Sequence, residues 1–165
     1  MKLKINILYD FKTGPWGGGN QFLKALRQSL IKQKNYSEDP ENADVIIFNS
    51  HHFGENLACL KYLINLKQSI PKLRLIHRLD GPVSLIRGGS KSIDTLIFDI
   101  NSKLADGTVF QTNWSRKKSF EMSLYTKHVH RTIINAPNDE IFPRKTIVPI
   151  KGKIKLINTS WAANE

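Results

Sequence analysis

Apolar positions along this chain switch repeatedly between strand-like and helical spacing. Lys4 to Asp10 reads as a strand. From Asn20 to Lys34, Phe22, Leu23, Leu26 and Leu30 recur at helical spacing, which predicts a helix with these four side chains inward. Asp44 to Ser50 is a short apolar run, the mark of a strand buried on both faces. Glu55 to Ser69 returns to helical spacing through Leu57, Leu60, Leu63 or Ile64, and Leu66 or Lys67, and ends before Pro71. Arg74 to Asp80 reads as a third strand, closed by Gly81-Pro82, with a polar loop Arg87-Gly88-Gly89-Ser90 beyond it. Ser92 to Leu104 is a predicted helix with Ser92 as N-cap and Ile93, Leu96, Ile97, Ile100 and Leu104 inward. A strand over Gly107 to Thr112, a helix over Trp114 to Leu124 capped by Thr112 or Asn113, and a strand over His128 to Asn135 complete the series.

Strands that alternate with helices, without hairpin turns between them, predict an α/β fold. The expected form is a Rossmann-like open, mostly parallel sheet with helices on both faces. Ligands of such sheets lie beyond the carboxyl ends of the strands. The candidate site is therefore Gly17 to Gly19, Ser50 to His52, His77 to Asp80 and Gln111 to Trp114. After Asn135-Ala136-Pro137 the chain becomes turn-rich to Pro149, and Lys153 to Trp161 opens a fresh strand. The expected division is one domain with its linker over 1–150 and the first strand of a second domain over 151–165.

The glycines between the first strand and the first helix carry the strongest chemical signal. Gly14-Pro15-Trp16-Gly17-Gly18-Gly19 can bring bare backbone N–H groups up to an anion. A helix N-terminus adds ~0.3–1 kcal/mol of attraction in exposed settings. Two phosphate motifs fail here. A P-loop needs Lys and Ser/Thr where Gly19 is followed by Asn20-Gln21. A dinucleotide fingerprint needs a small residue where Phe22 stands. An epimerase-type Tyr-x-x-x-Lys is missing too, since Asn65 and Leu66 follow Tyr62. The plain alternative is a glycine turn that only joins strand to helix.

Charge widens the choice of partner. The chain has 165 residues, the size of one domain, with 25 Lys and Arg against 14 Asp and Glu, a formal +11. Such an excess favours nucleic acid, acidic lipid headgroups, sugar nucleotides or acidic glycans. Its spread along the chain, with Arg116-Lys117-Lys118 as the one compact run, weighs against a dedicated nucleic-acid surface. The single cysteine, Cys59, excludes an internal disulfide and fits a reducing compartment. No apolar run approaches the roughly 18 residues of a membrane span, and Asn6 and Asp10 interrupt any signal-peptide core. A cytoplasmic protein is expected, with charge that permits peripheral contact with the anionic inner face of a membrane. His51 and His52 cannot chelate together if extended, because strand neighbours point opposite ways, so no metal site is expected.

In order along the chain, several segments resemble the N-terminal domain of GT-B retaining glycosyltransferases of family 4. These are Gly14 to Phe22, Ala43 to His51, Ile76 to Pro82, Ala105 to Ser115, Ile133 to Pro143 and the strand into Thr159-Ser160-Trp161. The resemblance implies an acceptor-side lobe facing a second lobe that holds most of a nucleoside diphosphate sugar. It also implies sugar transfer with retention to a glycan or lipid-linked acceptor, without a cofactor or bound metal. Gly17, Gly18 and Gly19 would approach the donor diphosphate or sugar, and His77 the transferred sugar near the reaction centre. His77 can equally be a satisfied core histidine. Asp80 would orient an acceptor hydroxyl, although Asp-Gly-Pro fits a turn cap better. Arg78 and Arg87 would hold an acidic acceptor or be solvated loop charges, and His51 would line the acceptor site. The paired donor-lobe glutamates of the family have no counterpart before residue 165, so the resemblance implies little or no turnover by this chain alone. The rival reading is a non-catalytic basic α/β module that binds nucleic acid or acidic polymers.

Overall fold

Five strands form one parallel sheet in the order β1 (Ile5–Leu8), β2 (Val45–Phe48), β3 (Arg74–Leu79), β4 (Gly107–Phe110) and β5 (Val129–Thr132). The computed structural model describes residues 2–14, 17–49 and 57–135. The helices are α1 (Gly18–Lys32), α2 (Leu57–Ser69), α3 (Val83–Arg87), α4 (Lys91–Leu104) and α5 (Asn113–Glu121), with a 3-10 turn at Pro40–Asn42. The boundary near residue 150, the strand expected over 151–165, and His51 and His52 lie outside the described residues.

Sequential strand order would put every right-handed crossover on one face, yet helices cover both. Tyr36 explains this. It pairs in parallel with Ile5 on the outer edge of β1, held by Ile5 N–H to Asn35 O at 2.8 Å and Ser37 N–H to Ile5 O at 2.9 Å. The chain thus leaves β1 through α1 toward that edge, then crosses back to β2 on the other side. This reversal sets α1 on one face and α2, α4 and α5 on the other. It also makes the carboxyl ends of β1 and β2 a topological switch point.

Strand alternation then sorts the side chains. Ile5, Ile7 and Ile47 pack on Leu23, Leu26 and Leu30 of α1. Burying a leucine as fully as Leu23 contributes about 1.5–3 kcal/mol. On the opposite face Ile46, Phe48 and Leu75 pack with Leu63 and Leu66 of α2 and Ile100 of α4. Leu79 and Phe110 meet Ile97, Phe98 and Phe120 there. Cys59, half-buried, packs against the α2 side of this core, as its helical position predicts. Asp106 ties β3 to β4 at the amino end, accepting from Leu75 N–H at 2.8 Å and pairing with Lys67 and Arg74.

Three local details depart from expectation. Val83–Arg87 forms the short helix α3, which takes in the first residue of the loop expected over Arg87 to Ser90. The N-cap of α4 is Ser90, whose hydroxyl accepts from Ser92 N–H, in place of Ser92 itself. Helix α4 is also rotated about its axis. Ile97 and Ile100 are buried as expected, but Ile93 and Leu96 stand exposed while Asp94 and Asn101 are buried. Both polar residues have interior partners, and those partners set the rotation.

Candidate functional site

Side chains of α1 hold the loop that leads from β1, with Asn20 the buried one among them. Asn20, buried in the first turn of α1, accepts from Lys12 N–H and donates to Lys12 O, both at 3.1 Å. This clamp sets the first turn of α1 at the carboxyl rim of the sheet. Gly17 is the N-cap, no side chain caps the helix, and its first turn carries no acidic residue. Helix geometry leaves the N–H groups of Gly18 and Gly19 without intrahelical acceptors. A Cβ at Gly17 or Gly18 would meet nothing within 4 Å among the described residues. One at Gly19 would make only ordinary contact, 3.8 Å from Arg78 Nη1 and from Asp80 Oδ2.

Arg78 forms the wall opposite. Its side chain is 2% exposed and lies with its guanidinium carbon 4.9 Å from the centre of the Phe22 ring on α1. It pairs with Asp80 and donates to Gln111 Oε1 and Asn135 Oδ1, both at 3.1 Å. Gln111 Nε2 donates in turn to Asp80 O at 2.5 Å, and Asn135 Nδ2 donates to Gln111 Oε1 at 3.1 Å. A polar residue just past each of β3, β4 and β5 thus joins one network. The buried cation is compensated by a carboxylate and amide oxygens, as a desolvated charge must be. The reading of Arg78 as a solvated loop charge does not hold here.

Helix α3 closes the third side. The buried Asp94 carboxylate accepts from Val83 N–H at 2.6 Å and Ser84 N–H at 3.2 Å, fixing α3 by its N-terminus. Gly81 makes the approach possible. At φ +136°, a Cβ would stand 3.2 Å from Ile86 Cδ1 and 3.3 Å from Ser115 Oγ, so only glycine fits. Between these walls lies a cleft of ≈ 280 Å³, bordered by Gly18, Gly19, Arg78, Asp80, Arg87 and Gln111. Asn135, Leu79, Gly81, Val83, Ile86 and Ile97 add to its polar and apolar sides. Tyr9 lies close enough to feel the network. Burial first, then the Asp80 carboxylate, pushes its phenol above the ordinary value.

Comparison with known protein families, curated proteins and solved structures finds no match to this chain.

The cleft gathers Gly18, Gly19, Arg78, Asp80 and Arg87 of the predicted residues, while Gly17 caps the helix just outside the lining. His77 requires a correction. Its ring is fully buried on the other face of the sheet, stacked on Phe48 with centroids 4.5 Å apart and planes 6° from parallel. Its Nδ1 lies 3.1 Å from Asn101 Nδ2, which also donates to Thr108 Oγ1 at 2.8 Å. Burial lowers its pKa to about 3, so the ring is neutral at physiological pH. The core reading of His77 is the one its surroundings fit, because a strand sends neighbouring side chains to opposite faces and the cleft side belongs to Arg78. His51 lies outside the described residues.

Phe22 and Asn135 also belong to the site, although helical spacing marks Phe22 as core and the β-branched run makes Asn135 a strand end. A polar residue after each successive strand (Asp80, Gln111, Asn135) was the available signal. Among the described residues no group of three or more His, Cys, Asp or Glu is placed to hold a metal ion, and no helix is long and apolar enough to cross a membrane. Chemically, the cleft offers two kinds of grip. Backbone N–H groups and the exposed Arg87 suit an anion, and a carboxylate flanked by amides suits hydroxyl groups. Among the described residues that line it, Asp80 is the one carboxylate.

Proposed function

We propose that this chain is the acceptor-side lobe of a GT-B retaining glycosyltransferase, moving a sugar from a nucleoside diphosphate sugar to a glycan or lipid-linked acceptor. One observation carries the reading: neither packing nor a positive φ accounts for Gly18 and Gly19 at the cleft edge. Side-chain-free backbone there leaves room for a bulky group to approach the helix end, as a diphosphate requires. The diphosphate meets the Gly18 and Gly19 N–H groups and the Arg87 charge, which stabilise the departing oxygens. The Arg78 network holds Asp80 in a fixed direction, and Asp80 with Gln111 orients an acceptor hydroxyl. Fixed orientation matters because retention brings nucleophile and leaving group to one face of the sugar. His77 supports β3 from behind and takes no part in proton transfer.

Titration calorimetry with UDP, GDP and their hexose conjugates tests the reading against the double variant Gly18→Ala/Gly19→Ala. The wild-type chain binds a nucleoside diphosphate, and the variant binds about tenfold more weakly because charge-assisted backbone bonds are obstructed. Its melting temperature stays equal or rises, since alanine suits a helix better than glycine. Equal binding by both proteins contradicts the proposal. So does affinity for any polyanion, oligonucleotides included, that is set by salt alone.

A further inference from the structure

The rim of the cleft carries apolar side chains that the fold leaves uncovered. Leu85 and Ile86 on α3 are 50% and 51% exposed, and Trp114 at the start of α5 is 48% exposed. These helices are distant in sequence, but they meet at Gly81: a Cβ there would stand 3.2 Å from Ile86 Cδ1 and 3.4 Å from Trp114 Cζ3. Helix α4, packed on α3, adds the exposed Leu96 and Ile93. Cations border this ground. Arg87 ends α3, Lys91 begins α4, and Arg116 follows Trp114 within the first turn of α5. Among the described residues none of the three has a carboxylate within salt-bridge distance, unlike Lys117 and Lys118, which pair with Glu121.

We propose that this rim, formed by α3 and the starts of α4 and α5, is a docking surface for an anionic lipid bilayer. Aliphatic and indole side chains framed by unpaired cations match a membrane interface, where apolar groups enter the acyl boundary and cations meet headgroups. Charge selects this occupant over two others. A second copy of the chain would bring the same +11 and the same rim cations into contact. Nucleic acid would find cations, but a single aromatic among the central apolar residues makes a poor base-stacking platform. Arg87 also borders the cleft, so docking brings the mouth of the cleft to the lipid surface. The surface does not depend on the sugar-transfer reading, and it can fail or hold separately.

Co-sedimentation of the full chain with vesicles tests it, comparing phosphatidylcholine alone with an equimolar phosphatidylcholine–phosphatidylglycerol mixture. Binding is expected only to the anionic vesicles, with Trp114 fluorescence, read in a Trp16→Phe/Trp161→Phe background, quenched by bromine-labelled acyl chains. Leu85→Ser/Ile86→Ser lowers the partition coefficient by about tenfold or more. Arg87→Ser/Lys91→Ser lowers it by about 25-fold, near fivefold for each cation. All four positions are exposed, and circular dichroism with thermal melts confirms that the variants fold. Equal binding to both vesicle types, or anionic binding that neither double variant changes, overturns the proposal. So does a wild-type chain that ignores vesicles but dimerises, or that binds an oligonucleotide through Arg87 and Lys91.

Discussion

His77 and Arg78 are neighbours in one strand, both nearly inaccessible to water, yet they live in opposite chemical environments. His77 faces α4, where among the described residues it meets the Phe48 ring and the Asn101 amide, and burial there favours a neutral imidazole. Arg78 faces α1 at the end of the cleft and meets a carboxylate, two amide oxygens and the face of Phe22. Burial alone therefore does not say what a polar residue is for. The partners do: one residue is part of the packing, and the other is a charge held ready beside an open space.

The difference can be broken first from the cleft side. Arg78→Met keeps the bulk but strips Asp80, Gln111 and Asn135 of their common donor. It should cost about 3 kcal/mol in urea unfolding, the usual scale for removing one member of a buried ionic network, and nucleoside diphosphate binding should fall with it. A loss below about 1 kcal/mol would mean that the network adds little beyond packing.

From the core side the test is pH. Unfolded, His77 takes up a proton below its ordinary value of 6.5, whereas folded it stays neutral down to about 3. Its folded pKa is depressed, so the native state is disfavoured as pH falls through that window. The slope reaches about 1.4 kcal/mol per pH unit. His77→Phe keeps a ring against Phe48 and removes the titration, so its stability curve should be flatter in acid by that slope. Asp106 also contributes to acid sensitivity. Burial raises its pKa, but bonds from Lys67, Leu75 N–H and Arg74 outweigh this and hold it low. It is unchanged in both proteins and cancels in the comparison. Parallel curves would contradict the neutral, buried assignment of His77.

Much of this architecture was legible in the pattern of residues. Strand and helix periods predicted the parallel sheet, and the strand–glycine–helix order located the cleft edge, because both signals are local. The face of each element was harder to read. In α4 the polar Asp94 and Asn101 turn inward because α3 and the His77–Thr108 pair need them, and composition gives no hint of such partners. Helix α3 spans five residues, too short to show a period. The place of His77 is hidden for a related reason: alternation says that neighbours face opposite ways, but not which face holds the site.

The central claim, an anion seated on the glycine edge of α1, is tested most directly by amide NMR of the full chain titrated with inorganic pyrophosphate and then UDP. The Gly18 and Gly19 amide resonances should move downfield, saturate and move together with the Arg78 side-chain signals, while the His77 ring resonances stay still. Unmoved glycine amides, or shifts spread over every exposed lysine and abolished by moderate salt, would contradict it.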